Sequence, residues 1–168
     1  RVVELANDLS AEGIDPSMPS IEIVNDNSKT DSTEVLKKTD DYEQLVYTTV
    51  GAFREDKLVG WLDENESKGY NYITNKIKQT VGFNTEEDGI MIAVDVLKCK
   101  SKIIASVDDN QPRIDVNVKF DYVLNEVKGD IDVSKVENIE RINQIHERKV
   151  TDICYESIKK AQELKTDI

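Results

Sequence analysis

The sequence predicts an α+β fold: an antiparallel or mixed sheet of about five strands covered on one face by helices, with a long C-terminal helix as the main cover. Three patterns carry that expectation. Val50, Ala52 and Phe53 run apolar into the polar turn Arg54-Glu55-Asp56-Lys57, and Leu58, Val59, Trp61 and Leu62 run apolar out of it, a hairpin signal. Ile114, Val116, Val118, Phe120 and Tyr122 alternate with Asp115, Asn117, Lys119 and Asp121, which gives a strand with one core face and one wet face. From Ser134 to about Leu164, Ile139, Ile142, Ile145, Val150, Ile153, Ile158, Ala161 and Leu164 keep helical spacing without a Pro or Gly.

Taken in order, Val2, Val3, Leu5, Ala6 and Leu9 fall at helical spacing, and Gly13 suits the helix end. Pro16 and Pro19 force an extended connection, after which Ile21 to Val24 alternates as an outer strand. The polar run from Asn25 to Asp41 reads as a mobile loop or insertion. It fails as a calcium loop, because Asp31 stands where the sharp turn needs Gly and Lys37 where the loop needs its bidentate Glu. Leu45 to Val50 is apolar or β-branched on both sides and reads as a central strand leading into the hairpin. Asp63 followed by Glu66 is a capping box that starts a helix with Tyr70, Ile73 and Ile77 on one face and Tyr72 and Lys76 on its flank. Gly82 and Glu86-Glu87-Asp88 end that unit. Ile90 to Leu97 and Ile103 to Val107 form two strands or one long bent one, and Asp108 to Pro112 makes the next turn. Gly129 and Asp130 close the alternating strand, and Ser134 with Glu137 forms a second capping box. The final helix would be about 45 Å long at ~1.5 Å per residue, longer than a small domain, so part of it is expected to overhang or to pack on another domain of the parent, which is the best interface hint. Tyr155, Ile131 and Val133 are the apolar candidates for that interface.

The run Ala52-Phe53-Arg54-Glu55-Asp56-Lys57-Leu58-Val59-Gly60-Trp61-Leu62, with Glu64, Glu66, Ser67 and Gly69 behind it, resembles the C-terminal domain of the C subunits of bacterial spore germinant receptors, the GerAC-type lipoproteins. A second match lies at the far end, where Ala161-Gln162 and Thr166-Asp167-Ile168 are similar to the family's helix leading into an Asp-Ile-Phe sequence. The resemblance implies a non-catalytic subunit acting by assembly and docking with two integral-membrane subunits, A and B. It implies a place on the outer face of the spore inner membrane, with membrane contact only through a lipid anchor outside this fragment. The family pattern continues past the Asp-Ile element with a Trp-bearing segment and a further strand. The expectation is therefore a single domain over 1–168, excised from a larger lipoprotein; should that strand be missing, an exposed sheet edge appears.

Composition narrows the alternatives. A chain of 168 residues with 38% apolar content buries one core. The net charge of −12 and pI of about 4.6 set a mean field that repels phosphate backbones and anionic headgroups, and the basic residues read as dispersed, so no nucleic-acid binding is expected. No apolar run approaches the ~20 residues that span a bilayer, and the fragment reads as soluble. Cys99 and Cys154 have no CxxC spacing and a single histidine, His146, accompanies them, which argues against zinc. They are either a disulfide or, as free cysteines usually are, small buried hydrophobes.

Catalytic patterns are sparse. Gly51 and Gly60 match no phosphate-binding motif and suit a bulge or close backbone approach. His146 has no Ser or Cys one helical turn away and reads as a partly exposed helix residue. Glu64 and Glu66 are explained by the helix dipole and cap. Trp61 is a ligand platform or, as a hairpin aromatic beside Leu62, core, and the second reading is preferred. No cofactor and no small-molecule ligand is identified. The expectation is a non-enzymatic receptor subunit; the alternative is an extracytoplasmic solute-binding or scaffold module with another partner.

Overall fold

The computed structural model describes residues 15–25, 43–46, 49–86 and 89–167. The expected N-terminal helix and the polar stretch beyond Asn25, with its rejected calcium pattern, lie outside the described residues. The chain divides into two compact units, one from residues within 1–67 and 160–168 and the other spanning 68–159.

In the first unit, β1 (Ser17–Pro19), β4 (Val50–Arg54) and β5 (Lys57–Leu62) form an antiparallel sheet in the order β1-β4-β5. The hairpin is present as the sequence predicts, with its turn at Glu55-Asp56 and Glu55 at φ 55°. A separate pair joins β2 (Glu22–Asn25) to β3 (Glu43–Val46). The expectation of one central strand from Leu45 to Val50 is corrected: β3 pairs with β2, and β4 holds the central place between β1 and β5. Among the described residues there are thus eight strands in sheets of three, two and three, rather than about five in one sheet. A period-2 pattern reports that a residue is in a strand, not which strand it pairs with.

Both glycines of the hairpin are used for close approach. The register shifts between Ala52 and Phe53, opposite Gly60, and a Cβ on Gly60 would meet Leu164 Cδ2 at 2.5 Å. A Cβ on Gly51 would lie 3.1 Å from the Trp61 ring. Trp61 itself is 51% exposed while Leu62 is fully buried, so the expectation of a core tryptophan fails. Adjacent strand residues point to opposite faces, and Leu62 takes the core side.

Helix α1 (Glu64–Ile73) starts as expected: Asp63 N–H donates to Glu66 Oε2 at 2.8 Å and Glu66 N–H to Asp63 Oδ1 at 2.9 Å, a complete capping box. It stops at Ile73, and Asn75 at φ 61° turns the chain out, so Ile77 falls beyond the helix. Ile77 and Ile73 nevertheless both pack on the cluster of Tyr72, Val150, Ile153 and Cys154.

The second unit is an antiparallel sheet of β6 (Thr80–Thr85), β7 (Met91–Asp108) and β8 (Gln111–Lys128) with α2 (Val136–Leu164) as far as Lys159, the last helical residues belonging to the first unit. Strand β6 runs through Gly82, which corrects the expectation that Gly82, with Glu86-Glu87-Asp88, ends the preceding unit. Of the two options left open for residues 90–107, the structure takes one long strand, bent at a register shift between Val96 and Lys98. Asp109 (φ 46°) and Asn110 (φ 64°) are both left-handed, as a two-residue hairpin turn that follows the strand twist requires. Ile92, Val94 and Val96 of β7 are fully buried against Ile142 and Ile145 of α2.

The N-terminus of α2 differs from its expected cap. Ser134 N–H and Oγ both donate to Asp132 Oδ1, at 3.0 and 2.7 Å, and the helix begins at Val136. Asn138 Nδ2 donates to the Asp132 carbonyl at 2.8 Å, so Asp132 rather than the Ser134–Glu137 pair organises the turn.

A candidate interface groove between β8 and the C-terminal helix

The alternating pattern of β8 sends Val116, Val118, Phe120, Tyr122 and Leu124 toward α2, each half-buried, while Asn117, Lys119 and Asp121 stay exposed. Among the described residues β8 has a strand neighbour on one side only, β7, so its other edge presents unpaired backbone groups. Between this edge strand and α2 lies a groove of about 790 Å³. Its floor is Val116, Val118, Phe120 and Tyr122, and Asn143, Glu147, Val150, Cys154 and Tyr155 line it from the helix.

Several contacts fix the walls. Phe120 meets Tyr72 edge-on at a centroid distance of 6.3 Å. It also meets the His146 ring at 5.1 Å. The Tyr122 hydroxyl donates to Asn143 Oδ1, tying floor to wall. Gly69 lets α1 approach α2: a Cβ there would sit 2.0 Å from the Ile153 carbonyl oxygen, and Cys154 Sγ lies 3.9 Å from the Gly69 carbonyl. Burial pushes the Tyr72 hydroxyl up to about 12, with the neighbouring cysteines adding to the shift, and pushes the Cys154 thiol up to about 11. Both cysteines are free thiols.

Behind the floor, His146 is only 2% exposed, which corrects the expectation of a partly exposed helix histidine. Its Nδ1 lies 2.9 Å from Asn84 Nδ2, and Nε2 has no hydrogen-bond partner among the described residues. A Cβ on Gly82 would meet the ring at 2.6 Å, which explains glycine in the middle of β6. Burial lowers the imidazole pKa and keeps the ring neutral. Period-3.6 spacing places His146 beside Ile142 and Ile145 on the core face; the residue type alone concealed that.

The three predicted interface residues are not brought together. Tyr155 is 70% exposed and lines the groove. Ile131 packs against the Ile90–Ile145 core and is largely used there. Val133 lies exposed in the turn before α2, about 30 Å along the helix from Tyr155 at ~1.5 Å per residue. Among the described residues no group of three or more His, Cys, Asp or Glu is placed to hold a metal ion. What the groove offers chemically is backbone pairing along one edge and apolar pockets for alternate side chains, the arrangement that accepts an added extended segment.

A hairpin leading into a capped helix, and a long helix packed on an antiparallel sheet, are the elements that the profile of a GerAC-type C-subunit domain spans here. The chain belongs to the family described as Spore germination B3/GerAC like, C-terminal, whose profile matches residues 48–168. It is 21% identical over 169 residues to spore germination protein KC of Bacillus subtilis (strain 168), covering 99% of this chain and 42% of that protein. It is similar in fold to the crystal structure of the GerBC protein, with a TM-score of 0.66 at 22% identity, covering 98% of this chain and 45% of the other. The chain thus spans less than half the length of these relatives. Among its described residues no helix is long and apolar enough to cross a membrane.

Proposed function

We propose that this chain is the docking portion of a germinant-receptor C subunit, acting without catalysis at the outer face of the spore inner membrane, where a lipid anchor elsewhere in the full-length protein holds it. Its partners are the integral-membrane A and B subunits, and the groove between β8 and α2, with Tyr155 on its rim, receives one of them. The observation that carries this reading is the coincidence of a one-sided edge strand, an apolar floor and an exposed aromatic at a single place. An exposed tyrosine beside apolar pockets is the kind of residue that anchors protein interfaces.

The test is a photoreactive residue at Tyr155 in the full-length protein, expressed in its spore-forming host. Adducts with an A or B subunit support the docking role. Adducts confined to the same polypeptide would mean that a further segment of the longer chain occupies the groove. Adducts only with unrelated proteins, in a protein that still reaches the inner membrane, would favour a scaffold module with another partner.

A further inference from the structure

The face of the β6–β7–β8 sheet turned away from α2 carries a feature that the overall charge conceals. Lys98, Lys100 and Lys102 project from β7 on this face, because Cys99 and Ser101 between them pair with the core-facing Phe120 and Val118. Lys119 of β8 lies directly opposite Lys100 in the register. All four are exposed, and none makes an ion pair among the described residues. Like charges facing each other across a strand pair are destabilising, so this arrangement is kept against its local cost. The same face also carries acidic residues: Asp121 lies directly opposite Lys98 and Asp95 opposite Val123, while Asp108 and Asp115 are paired with Arg113 and Glu126 with Lys128.

The same face exposes large apolar side chains. Val81 is 62% and Phe83 58% exposed on β6, and Leu97 and Val123 are about half exposed beside them. The register shift at Val96/Lys98 places both Leu97 and Lys98 outward, joining the apolar patch to the lysine row. A sheet with one face buried by a helix would ordinarily present polar residues on the other.

We propose that this outer face is a docking surface for an anionic lipid bilayer. With Arg113 of this face paired to Asp108 and Asp115, the positive charge outside ion pairs among the described residues here comes from lysines; a lysine ammonium is a compact point charge that attracts anionic headgroups without the fixed fork geometry that arginine brings to a protein partner. The neighbouring Phe83, Val81, Leu97 and Val123 are the apolar side chains that settle at the headgroup boundary. At physiological ionic strength the Debye length is about 8 Å, so the lysines nearest the surface act while much of the molecule's −12 is screened.

The experiment is co-sedimentation of the 168-residue chain with vesicles of phosphatidylcholine alone and of equimolar phosphatidylcholine and phosphatidylglycerol, at low and physiological salt. The expected result is binding to the anionic vesicles only, weakened by salt and reduced at least about tenfold in a variant carrying Lys98→Gln, Lys100→Gln, Lys102→Gln and Lys119→Gln. Phe83→Ser alone should weaken it further at constant charge. Circular dichroism checks that each variant is folded, and removing the Lys100–Lys119 opposition should leave the melting temperature equal or higher. Absence of binding, equal binding to neutral vesicles, or undiminished binding by the folded quadruple variant would overturn the proposal. Capture of an acidic protein through the lysines without vesicle binding would overturn it equally.

Discussion

Asp15 and Asp167, 152 positions apart, hold each other reciprocally: Asp15 N–H donates to the Asp167 carbonyl at 2.7 Å, and Asp167 N–H donates to Asp15 Oδ2 at 2.8 Å. The same carboxylate accepts from Glu55 N–H in the hairpin turn at 3.1 Å through Oδ1, and Thr166 Oγ1 also donates to it. The two stretches that carry the family resemblance, the hairpin and the Thr166-Asp167 element, are thereby fastened to one side chain. The Asp167 and Glu55 amides hold the Asp15 carboxyl below its usual value.

Replacing Asp15 by Ala should release this clasp. The expected cost is about 1 kcal/mol, since the site is well solvated and the freed amides can reach water. Hydrogen exchange at the Glu55 and Asp167 amides should quicken while exchange in β7 and β8 is unchanged; equal exchange everywhere would show that the clasp contributes nothing.

His146 makes stability depend on pH in a window of its own. Because burial holds its pKa down, the folded state binds this proton less readily than the unfolded chain does. The contribution of the neutral ring is complete above the ordinary histidine value of about 6.5 and is lost as pH falls from there toward the depressed folded value. The melting temperature should therefore fall as pH drops below about 6.5, and this slope should flatten in His146→Gln. Asp15 and Asp132, whose carboxyls are lowered from 3.8, lose their contributions only at more acidic pH.

Gly69→Ala should be among the most damaging single-methyl changes in the chain. The added carbon would lie 2.0 Å from a backbone oxygen, so no side-chain rotation relieves the clash and the α1–α2 contact at Ile153 has to separate. A loss of about 2–3 kcal/mol is expected, read from the urea midpoint. Gly60→Ala meets only the movable end of Leu164 and should cost less.

The Cys154 thiol, raised to about 11 and buried, should resist alkylation at pH 8 until the protein unfolds. Cys99 is likewise raised by burial, though it is only partly covered. Thiol counting with and without denaturant checks this, with Cys99→Ser isolating the Cys154 signal. For Cys154 the buried neutral form contributes stability below its unfolded value of 9.0, and that contribution is lost as pH rises from there through about 11.

The sequence by itself determined the elements whose signals are local. The Asp63–Glu66 box, the hairpin, the alternation of β8 and the spacing of α2 depend on neighbours within a few positions, and each is present. It also determined family membership, through the hairpin run and the Thr166-Asp167 end. Only the tertiary structure decided what depends on partners distant in the chain. The pairing of β3 with β2, the strand character of a Gly82 made room for His146, the outward turn of Trp61, and the choice of Asp132 over Ser134 at the start of α2 are all set by what lies opposite. The lysine row is the clearest case. Lys98, Lys100 and Lys102 alternate in plain sight, yet they become one charged face with Lys119 only once a two-residue turn fixes the register of β7 on β8. Composition averages charge over the whole chain, whereas a sheet sorts residues by face, and that sorting is a property of the pairing.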